Sequence, residues 1–464
     1  MTLIKSISGI RGTLGGFPGE GFTPVDIVRF TSAYALFIRR QSNKERIHVI
    51  IGRDARTSGF MVSQLVAGTL TGMGVDVTDL GLSTTPTVEV AVSGLHADGG
   101  IILTASHNPG NWNALKLLNG KGEFLDAQDG AMILEIAEEG RFEASEVHEI
   151  GSYTLDTTYI QKHIQEVLAM PFVDIDAIRK ARFTVAIDCV NSTGGITLPP
   201  LLNALGVEKT IEIHCTPDGR FPHNPEPLPE NLGDLSKAVL DAKAHVGFAV
   251  DPDVDRLAIV CEDGSMFGEE YTLVAVADYI LKNKPGNTVS NLSSTRALRD
   301  ITEKYGGAYA AAAVGEVNVV EKMKSTSAVI GGEGNGGVIY PPLHYGRDAL
   351  AGIALFLSHL AITGLSCSAL RATYPHYVIS KNKISLSPDT DVDKILMLVL
   401  ERYKDYPVNT IDGVRIELGN EWVHLRKSNT EPIIRIYAES TDAASADRLA
   451  ARIMEDVREI TGGK

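Results

Sequence analysis

The sequence predicts an α/β protein with three similar α/β domains, each on a mixed, mostly parallel sheet, and a smaller C-terminal α+β domain. Three observations predict it. At three places a β-branched strand runs into a polar loop; each is followed by a helix-like stretch ending in glycine and another strand. Each unit then closes on an apolar strand that stops in a loop dense in functional residue types. Strand, helix, strand in repeat implies parallel β-α-β units with ligand loops at the carboxyl ends of strands.

The opening strands are Val49-Ile50-Ile51 into Gly52-Arg53-Asp54, Thr184-Val185-Ala186-Ile187 into Asp188-Cys189-Val190-Asn191, and Thr288-Val289 into Ser290-Asn291-Leu292-Ser293. Glycines at Gly72 and Gly74, Gly206, and Gly306 and Gly307 mark helix ends. The closing strands are Ile101-Ile102-Leu103, led by Gly99 and Gly100, then Val246 to Val250, then Ala328-Val329-Ile330 running into the loop Gly331-Gly332-Glu333-Gly334. Ala349 to Leu365, interrupted by Ser358 and His359, is too short for a membrane span and reads as a buried helix. The last ninety or so residues break the pattern. Trp422 to Leu425 reads as a strand, Arg426 to Pro432 as a loop and Ile433 to Tyr437 as a strand; a final helix capped by Thr441 carries Leu449, Ile453, Val457 and Ile460 at helical spacing. The domains are placed at 1–150, 151–260, 261–370 and 371–464.

The 464 residues exceed one core, and 44% apolar with 22% charged residues is ordinary globular composition. With 43 Lys and Arg against 58 Asp and Glu, the net charge of -15 excludes nucleic acid and an anionic membrane surface as partners. A phosphate ligand would therefore need a local cluster of Arg and Lys. Cys189, Cys215, Cys261 and Cys367 are widely spaced with no C-x-x-C, which fits reduced thiols in a cytoplasmic protein. Met1 to Arg11 has no apolar signal-like run.

Four loops carry chemistry. Thr104-Ala105-Ser106-His107-Asn108-Pro109 places a serine at a strand end, either a nucleophile or a serine closing a turn. Asp251-Pro252-Asp253-Val254-Asp255-Arg256 sets three carboxylates at alternate positions, mutually repulsive without a cation; the other reading is a solvated acidic turn paired with Arg256. It is not an EF-hand, because Arg256 stands where that loop needs glycine and Leu257 to Val260 reads as a strand. Gly332-Glu333-Gly334-Asn335-Gly336-Gly337 matches a dinucleotide fingerprint, yet Val338-Ile339-Tyr340-Pro341-Pro342 cannot begin the helix that fingerprint needs. Arg426-Lys427-Ser428-Asn429-Thr430-Glu431-Pro432, with Arg435 beyond, offers guanidinium forks and hydroxyls that suit a phosphate dianion, or else is a solvated basic turn.

Thr-Ala-Ser-His-Asn-Pro resembles the active-site loop of the α-D-phosphohexomutases, the family of phosphoglucomutase, phosphomannomutase and phosphoglucosamine mutase. The other loops, and Ser8-Gly9-Ile10-Arg11-Gly12, resemble that family in the same order along the whole chain. The resemblance implies four domains around a central cleft and a serine, Ser106, that lends a phosphoryl group to a sugar phosphate. It implies Mg²⁺ on Asp251, Asp253 and Asp255 with an oxygen of phosphorylated Ser106, and Glu333 on sugar hydroxyls. It also implies Arg426, Ser428, Asn429, Thr430 and Arg435 on the phosphate not being transferred. Lys116 and His107 are expected to shuttle the hydroxyl proton while Arg11 steadies the phosphate; Arg256 and Asn335 join the substrate-binding residues. The segment Gly52-Arg53-Asp54-Ala55-Arg56 is expected to be structural, near the serine loop.

The activity so implied is interconversion of hexose 6-phosphate and hexose 1-phosphate through a bisphosphate, with hexose 1,6-bisphosphate as activator, in a monomer or homodimer whose partner is a small hexose phosphate. Two readings from other classes are a phosphatase using Asp251 as nucleophile and a non-catalytic sugar-phosphate sensor. Glucosamine phosphate is the expected substrate, with glucose and mannose phosphates comparable or slower. Gly337 stands where many bacterial mutases have a histidine, and Ser428-Asn429-Thr430 is closer to the phosphogluco/phosphomannomutase form of the phosphate loop.

Overall fold

The computed structural model describes all residues except 7–8, 388–389, 429–432 and 461–464. The chain divides into two compact units, Met1–Tyr279 with Asn335–Leu370, and Ile280–Gly334 with Arg371–Lys464.

The first unit begins with β1 (Leu3–Ser6), β2 (Gly9–Thr13), α1 (Pro24–Gln41), β3 (Ile47–Arg53), α2 (Gly59–Gly72) and β4 (Val75–Leu82). It continues with α3 (Thr85–Gly94), β5 (Gly99–Leu103), β6 (Trp112–Asn119), α4 (Ala127–Glu139) and β7 (Tyr153–Leu155). The strands form one sheet in the order β1-β2-β6-β5-β3-β4-β7, parallel from β5 to β7 and antiparallel elsewhere. Phe30 and Phe37 of α1, Val62 of α2 and Ile133 of α4 share a core with Val49, Ile51, Ile101 and Leu103. Val88 and Val92 of α3 pack with Ile50, Ile102 and Leu118. Covered on both faces, β5 tolerates three apolar residues in succession. Gly99 and Gly100 lie inside this strand rather than ahead of it: the Tyr34 hydroxyl donates to the carbonyls of Gly100 (3.1 Å) and Leu118 (2.6 Å), and a Cβ on Gly99 would sit 2.1 Å from that oxygen.

Next come α5 (Tyr159–Leu168), α6 (Ile175–Ala181), β8 (Thr184–Asp188), α7 (Gly194–Leu205), β9 (Lys209–Ile213), α8 (Gly233–Ala242), β10 (Val246–Val250) and β11 (Leu257–Cys261). Their sheet runs β11-β10-β8-β9, parallel except at β11. After α9 (Glu269–Asn283), the second unit holds β12 (Thr288–Asn291), α10 (Ala297–Lys304), β13 (Tyr309–Ala312), α11 (Glu316–Ser325) and β14 (Ile330–Glu333). Both β13 and β14 pair parallel with β12. The glycine-rich stretch Gly331-Gly332-Glu333, expected as loop, is strand, and α11 packs so closely that a Cβ on Gly331 would lie 2.5 Å from Met323 Sδ.

The chain re-enters the first unit with β15 (Gly337–Ile339), a strand where a dinucleotide site would need a helix, and α12 (Ala349–Thr363). The latter is the expected buried helix, ended by Gly364 in the left-handed region at φ 65°. Last are α13 (Cys367–Arg371), β16 (Val378–Ser385), α14 (Val392–Arg402), β17 (Val408–Asn409), β18 (Val414–Leu418), β19 (Glu421–Lys427), β20 (Ile433–Ser440) and α15 (Ala443–Ile460). The antiparallel sheet β16-β20-β19-β18-β17 carries Ile416, Val423, Ile434 and Ile436 against Val399 of α14 and Leu449, Ile453 and Val457 of α15. Two expectations are corrected here. Strand β19 continues through Arg426 and Lys427 because both pair with β20, and α15 is capped by Asp442, not Thr441, since its carboxylate accepts from the Ser445 N–H at 2.9 Å.

Among the described residues no helix is long and apolar enough to cross a membrane. The four cysteines form no disulfide.

Candidate active site

In the first unit, β5 delivers Ser106 to a turn in which its backbone takes φ 49°, a left-handed conformation that costs a serine about 1 kcal/mol. Buried neighbours hold it there. The Ser106 N–H donates to Thr104 Oγ1 (2.9 Å), whose hydroxyl donates to Asp54 Oδ2 (2.6 Å). The fully buried Arg56 pairs with Asp54 and donates to the carbonyls of Ser106, Asn108, Pro109 and Trp112. The segment expected to be structural is therefore a clamp on the serine loop.

Strand β10 brings the aspartate loop to the same place. Ser106 Oγ donates to Asp251 Oδ2 at 2.7 Å, and His107 Nδ1 lies 3.4 Å from the same hydroxyl. Asp251, Asp253 and Asp255 are wholly buried and offer ligand atoms within 4.8 Å of one another, which excludes a solvated acidic turn. Val254 between them takes φ 63°, an outlier for a β-branched residue and a mark of local strain. Lys116 Nζ from β6 reaches Asp253 Oδ2 (2.6 Å) and Asp255 Oδ2 (3.4 Å), Thr85 Oγ1 donates to Asp253 Oδ2 (2.5 Å), and Arg347 Nη2 donates to Asp255 Oδ2 (2.7 Å). Asp253 Oδ1 and Asp255 Oδ1 remain buried without a hydrogen-bond partner. Orphaned buried carboxylate oxygens beside a third carboxylate fit a hard divalent cation.

Electrostatics follow this packing. Burial, then Asp255 and Asp253, push the Asp251 carboxyl well above the usual range, whereas Lys116 overcomes burial and holds Asp253 below it. Burial would neutralise Lys116, but Asp253 and Asp255 outweigh it and raise its pKa. His107 is pushed down to about 2 by burial and then by Arg256, so it is neutral here. Burial, then Arg256, also lowers Arg11 on β2. Both guanidinium groups have a buried Nε without a hydrogen-bond partner, that of Arg256 standing 3.9 Å from Asp255 Oδ1, and together they offer a pair of forks for an anion. Arg256 Nη1 further meets Glu226 Oε1 at 3.4 Å, and Glu226 stands 4.0 Å from His107 Nε2. Asn335 lies in this unit too, its side-chain oxygen accepting from the Gly337 N–H at 3.3 Å.

The second unit carries the remaining expected residues. Glu333 at the end of β14 is buried, not an exposed loop glutamate: Asn291 Nδ2 (2.8 Å) and the Gly315 N–H (3.2 Å) donate to its Oε1. Arg426 and Arg435 face each other across β19 and β20, each with a buried Nε lacking a partner; Arg426 Nη1 lies 3.7 Å from Asp412. Like charges directly opposite on a sheet repel unless an anion lies between them. Lys383 on β16 pairs with Arg435 from the other side, extending the cationic row. Ser428 is buried beside them, whereas Asn429 and Thr430 lie outside the described residues.

Models of the phosphoglucomutase/phosphomannomutase domains match the chain in order: α/β/α domain I at residues 3–144, domain II at 159–264, domain III at 268–377 and the C-terminal domain at 388–456. The chain belongs to the phosphoglucomutase/phosphomannomutase family. It is thus a phosphohexomutase, an intramolecular phosphotransferase of four α/β domains. A phosphoglucomutase/phosphomannomutase of Thermococcus kodakarensis is 34% identical over 94% of this chain and 95% of that protein. A probable phosphoglucosamine mutase of Methanopyrus kandleri is 32% identical over 97% of each. A phosphoglucosamine/phosphogalactosamine mutase of Sulfurisphaera tokodaii is 31% identical over 98% of each. Among solved structures, a phosphoglucomutase/phosphomannomutase family protein of Burkholderia thailandensis superposes with a TM-score of 0.86 at 26% identity, over 100% of this chain and 99% of that one.

Sequence reading missed three members of this phosphohexomutase site. Glu226, Arg347 and Thr85 reach Arg256 and the aspartates from segments without a motif, and no spacing signal marks them.

Proposed function

We propose that this phosphohexomutase acts on glucosamine phosphate, interconverting its 6- and 1-phosphates, with glucose and mannose phosphates as comparable or slower substrates. In this reading phosphorylated Ser106 is the donor. The Oγ–P bond breaks as a sugar hydroxyl oxygen bonds to phosphorus, and His107 and Lys116 shuttle the hydroxyl proton on to the departing Ser106 Oγ; after the bisphosphate turns end for end, its other phosphoryl group returns to Ser106. Hexose 1,6-bisphosphate is the corresponding activator. The single observation that carries the mechanism is the Ser106 hydroxyl donating to Asp251 at 2.7 Å within a buried triad of carboxylates.

Asp251, Asp253 and Asp255, with an oxygen of the phosphorylated serine, would hold Mg²⁺, which when bound neutralises charge on the transferring phosphoryl group. The forks of Arg11 and Arg256 hold phosphoryl oxygens, while Arg426, Ser428, Asn429, Thr430 and Arg435 grip the distal phosphate in either orientation. Glu333, Asn335 and their neighbours face the sugar. In domain terms these are a phosphoserine segment (1–150), a metal segment (151–260), a sugar segment (261–370) and a phosphate segment (371–464).

What supports glucosamine is that named relatives spanning nearly the whole chain include phosphoglucosamine mutases, and that an anionic Glu333 suits a 2-ammonium group. The test is kcat/KM for glucosamine, glucose and mannose 1-phosphates under identical Mg²⁺ and activator. A glucosamine value more than about tenfold below the best sugar, roughly 1.4 kcal/mol in transition-state binding, would overturn the assignment.

A further inference from the structure

Away from the serine loop, the carboxyl ends of β8 and β9 bring together three residues that the phosphoryl-transfer reading does not use. Asp188 ends β8, in register with Ile213 at the end of β9, so His214 follows directly beside it; His223 arrives from the loop leading to α8. His214 Nδ1 and His223 Nε2 each lie 3.1 Å from Asp188 Oδ2, and all three ligand atoms fall within 4.8 Å of one another. Adjacent ligands of a four-coordinate divalent ion, each about 2.0 to 2.1 Å from it, stand roughly 3 to 3.5 Å apart.

The surroundings are those of liganding histidines. His223 Nδ1 sits 2.8 Å from the Asn224 carbonyl and His214 Nε2 3.6 Å from Asp234 Oδ2. Carbonyls and carboxylates only accept, so without an ion the ring N–H groups turned toward Asp188 Oδ2 donate to it; an ion entering between the three residues would displace those protons, while the distal acceptors hold the opposite ring nitrogens in their N–H form. The Asp188 carboxylate is itself oriented, its Oδ1 accepting from the Val190 N–H at 3.0 Å. Val190, Asn191 and His214 all hold left-handed backbone, with φ of 45°, 52° and 50°, so the arrangement is maintained against strain. Asp188 is 1% exposed while the two rings are 21% and 18% exposed, which leaves solvent-side access for an ion and a water.

We propose that Asp188, His214 and His223 form a second metal site, for one borderline divalent transition ion of the Zn²⁺ class, with the fourth position open to water. Two imidazole nitrogens and one carboxylate select against Mg²⁺, which takes oxygen ligands, so the site is chemically distinct from the all-oxygen aspartate loop. It ties the end of β8 to the 214–226 segment, whose Glu226 meets Arg256 and His107.

The experiment is Zn²⁺ binding to the chelator-stripped full chain by equilibrium dialysis in saturating Mg²⁺, comparing wild type with His223→Gln and with His214→Ala/His223→Ala. The wild type is expected to bind one more Zn²⁺ per chain than the double variant, and His223→Gln at least about tenfold more weakly than wild type. Cobalt(II) in the wild type should give visible d–d bands without a thiolate-to-cobalt charge-transfer band. Equal zinc stoichiometry in wild type and variants would overturn the proposal, as would a thiolate band, which would move the ion to Cys189 and Cys215. If the double variant fails to fold, His223→Gln alone decides between these outcomes.

Discussion

Removing the Arg56 charge should damage both stability and turnover, and the structure gives the size. Arg56 and Asp54 side chains are wholly inaccessible, with Nε to Oδ2 at 3.0 Å, and the guanidinium also satisfies four carbonyls of the serine loop. Arg56→Met keeps most of the volume but leaves Asp54 buried without its partner, and breaking a buried pair from one side costs about 3 to 5 kcal/mol. The carbonyls of Ser106 and Asn108 lose charged donors as well, so the upper end of that range is expected. Asp54→Asn/Arg56→Met removes both charges and should be no less stable than the single variant, because the uncompensated carboxylate is gone. Urea unfolding of the two variants beside wild type measures this, with turnover recorded on the same samples. Ser106 in its strained turn depends on the clamp, so turnover of Arg56→Met should fall about 100-fold, the cost of a misplacement near 1 Å. An Arg56→Met protein within about 1 kcal/mol of wild type, with unchanged turnover, would refute the clamp.

Asp253→Asn should lower both Mg²⁺ affinity and turnover, and chelation of the wild type should abolish activity reversibly; full activity in excess chelator would show the aspartate loop to be merely structural. Arg426→Ala should weaken binding of the 1-phosphate and 6-phosphate sugars alike and release bisphosphate; loss in one direction only would contradict a shared distal-phosphate grip. His344 lies between Glu89 Oε2 (3.3 Å) and Asp348 Oδ2 (3.1 Å), and although burial opposes its charge, these carboxylates raise it to about 10. With the folded value above the ordinary imidazole value of 6.5, its contribution is complete below about pH 6.5 and lost as pH rises through about 10. Thermal stability should fall across that interval and the slope should flatten in His344→Gln; parallel profiles would contradict the charge assignment.

Much of the site is legible in sequence because its residues sit just past strands that are themselves legible. Strands β5, β8 and β10 read as unbroken apolar runs because both faces are buried, and each ends on a loop with concentrated polar chemistry. What stays hidden is long-range. Arg347 completes the neutralisation of Asp255 from 92 residues away, and nothing in Tyr345-Gly346-Arg347 marks it. Arg426 reads as the start of a loop because its polar neighbours suggest a turn, yet cross-strand pairing with Arg435 keeps it in β19, and that pairing is what sets two guanidiniums side by side. The burial of Glu333 is also hidden in sequence: Gly331 lets α11 close on β14, and the glutamate is buried against Asn291.

The central claim is that Ser106 carries the phosphoryl group, and labelling tests it most directly. The protein is incubated with hexose 1,6-bisphosphate bearing radioactive phosphate, denatured in acid, digested and mapped. One acid-stable label per chain is predicted on the peptide containing Ser106, with no label in Ser106→Ala and turnover lower there by several orders of magnitude. An acid-labile label on Asp251, or a Ser106→Ala enzyme of near-normal activity with bisphosphate present, would contradict the account.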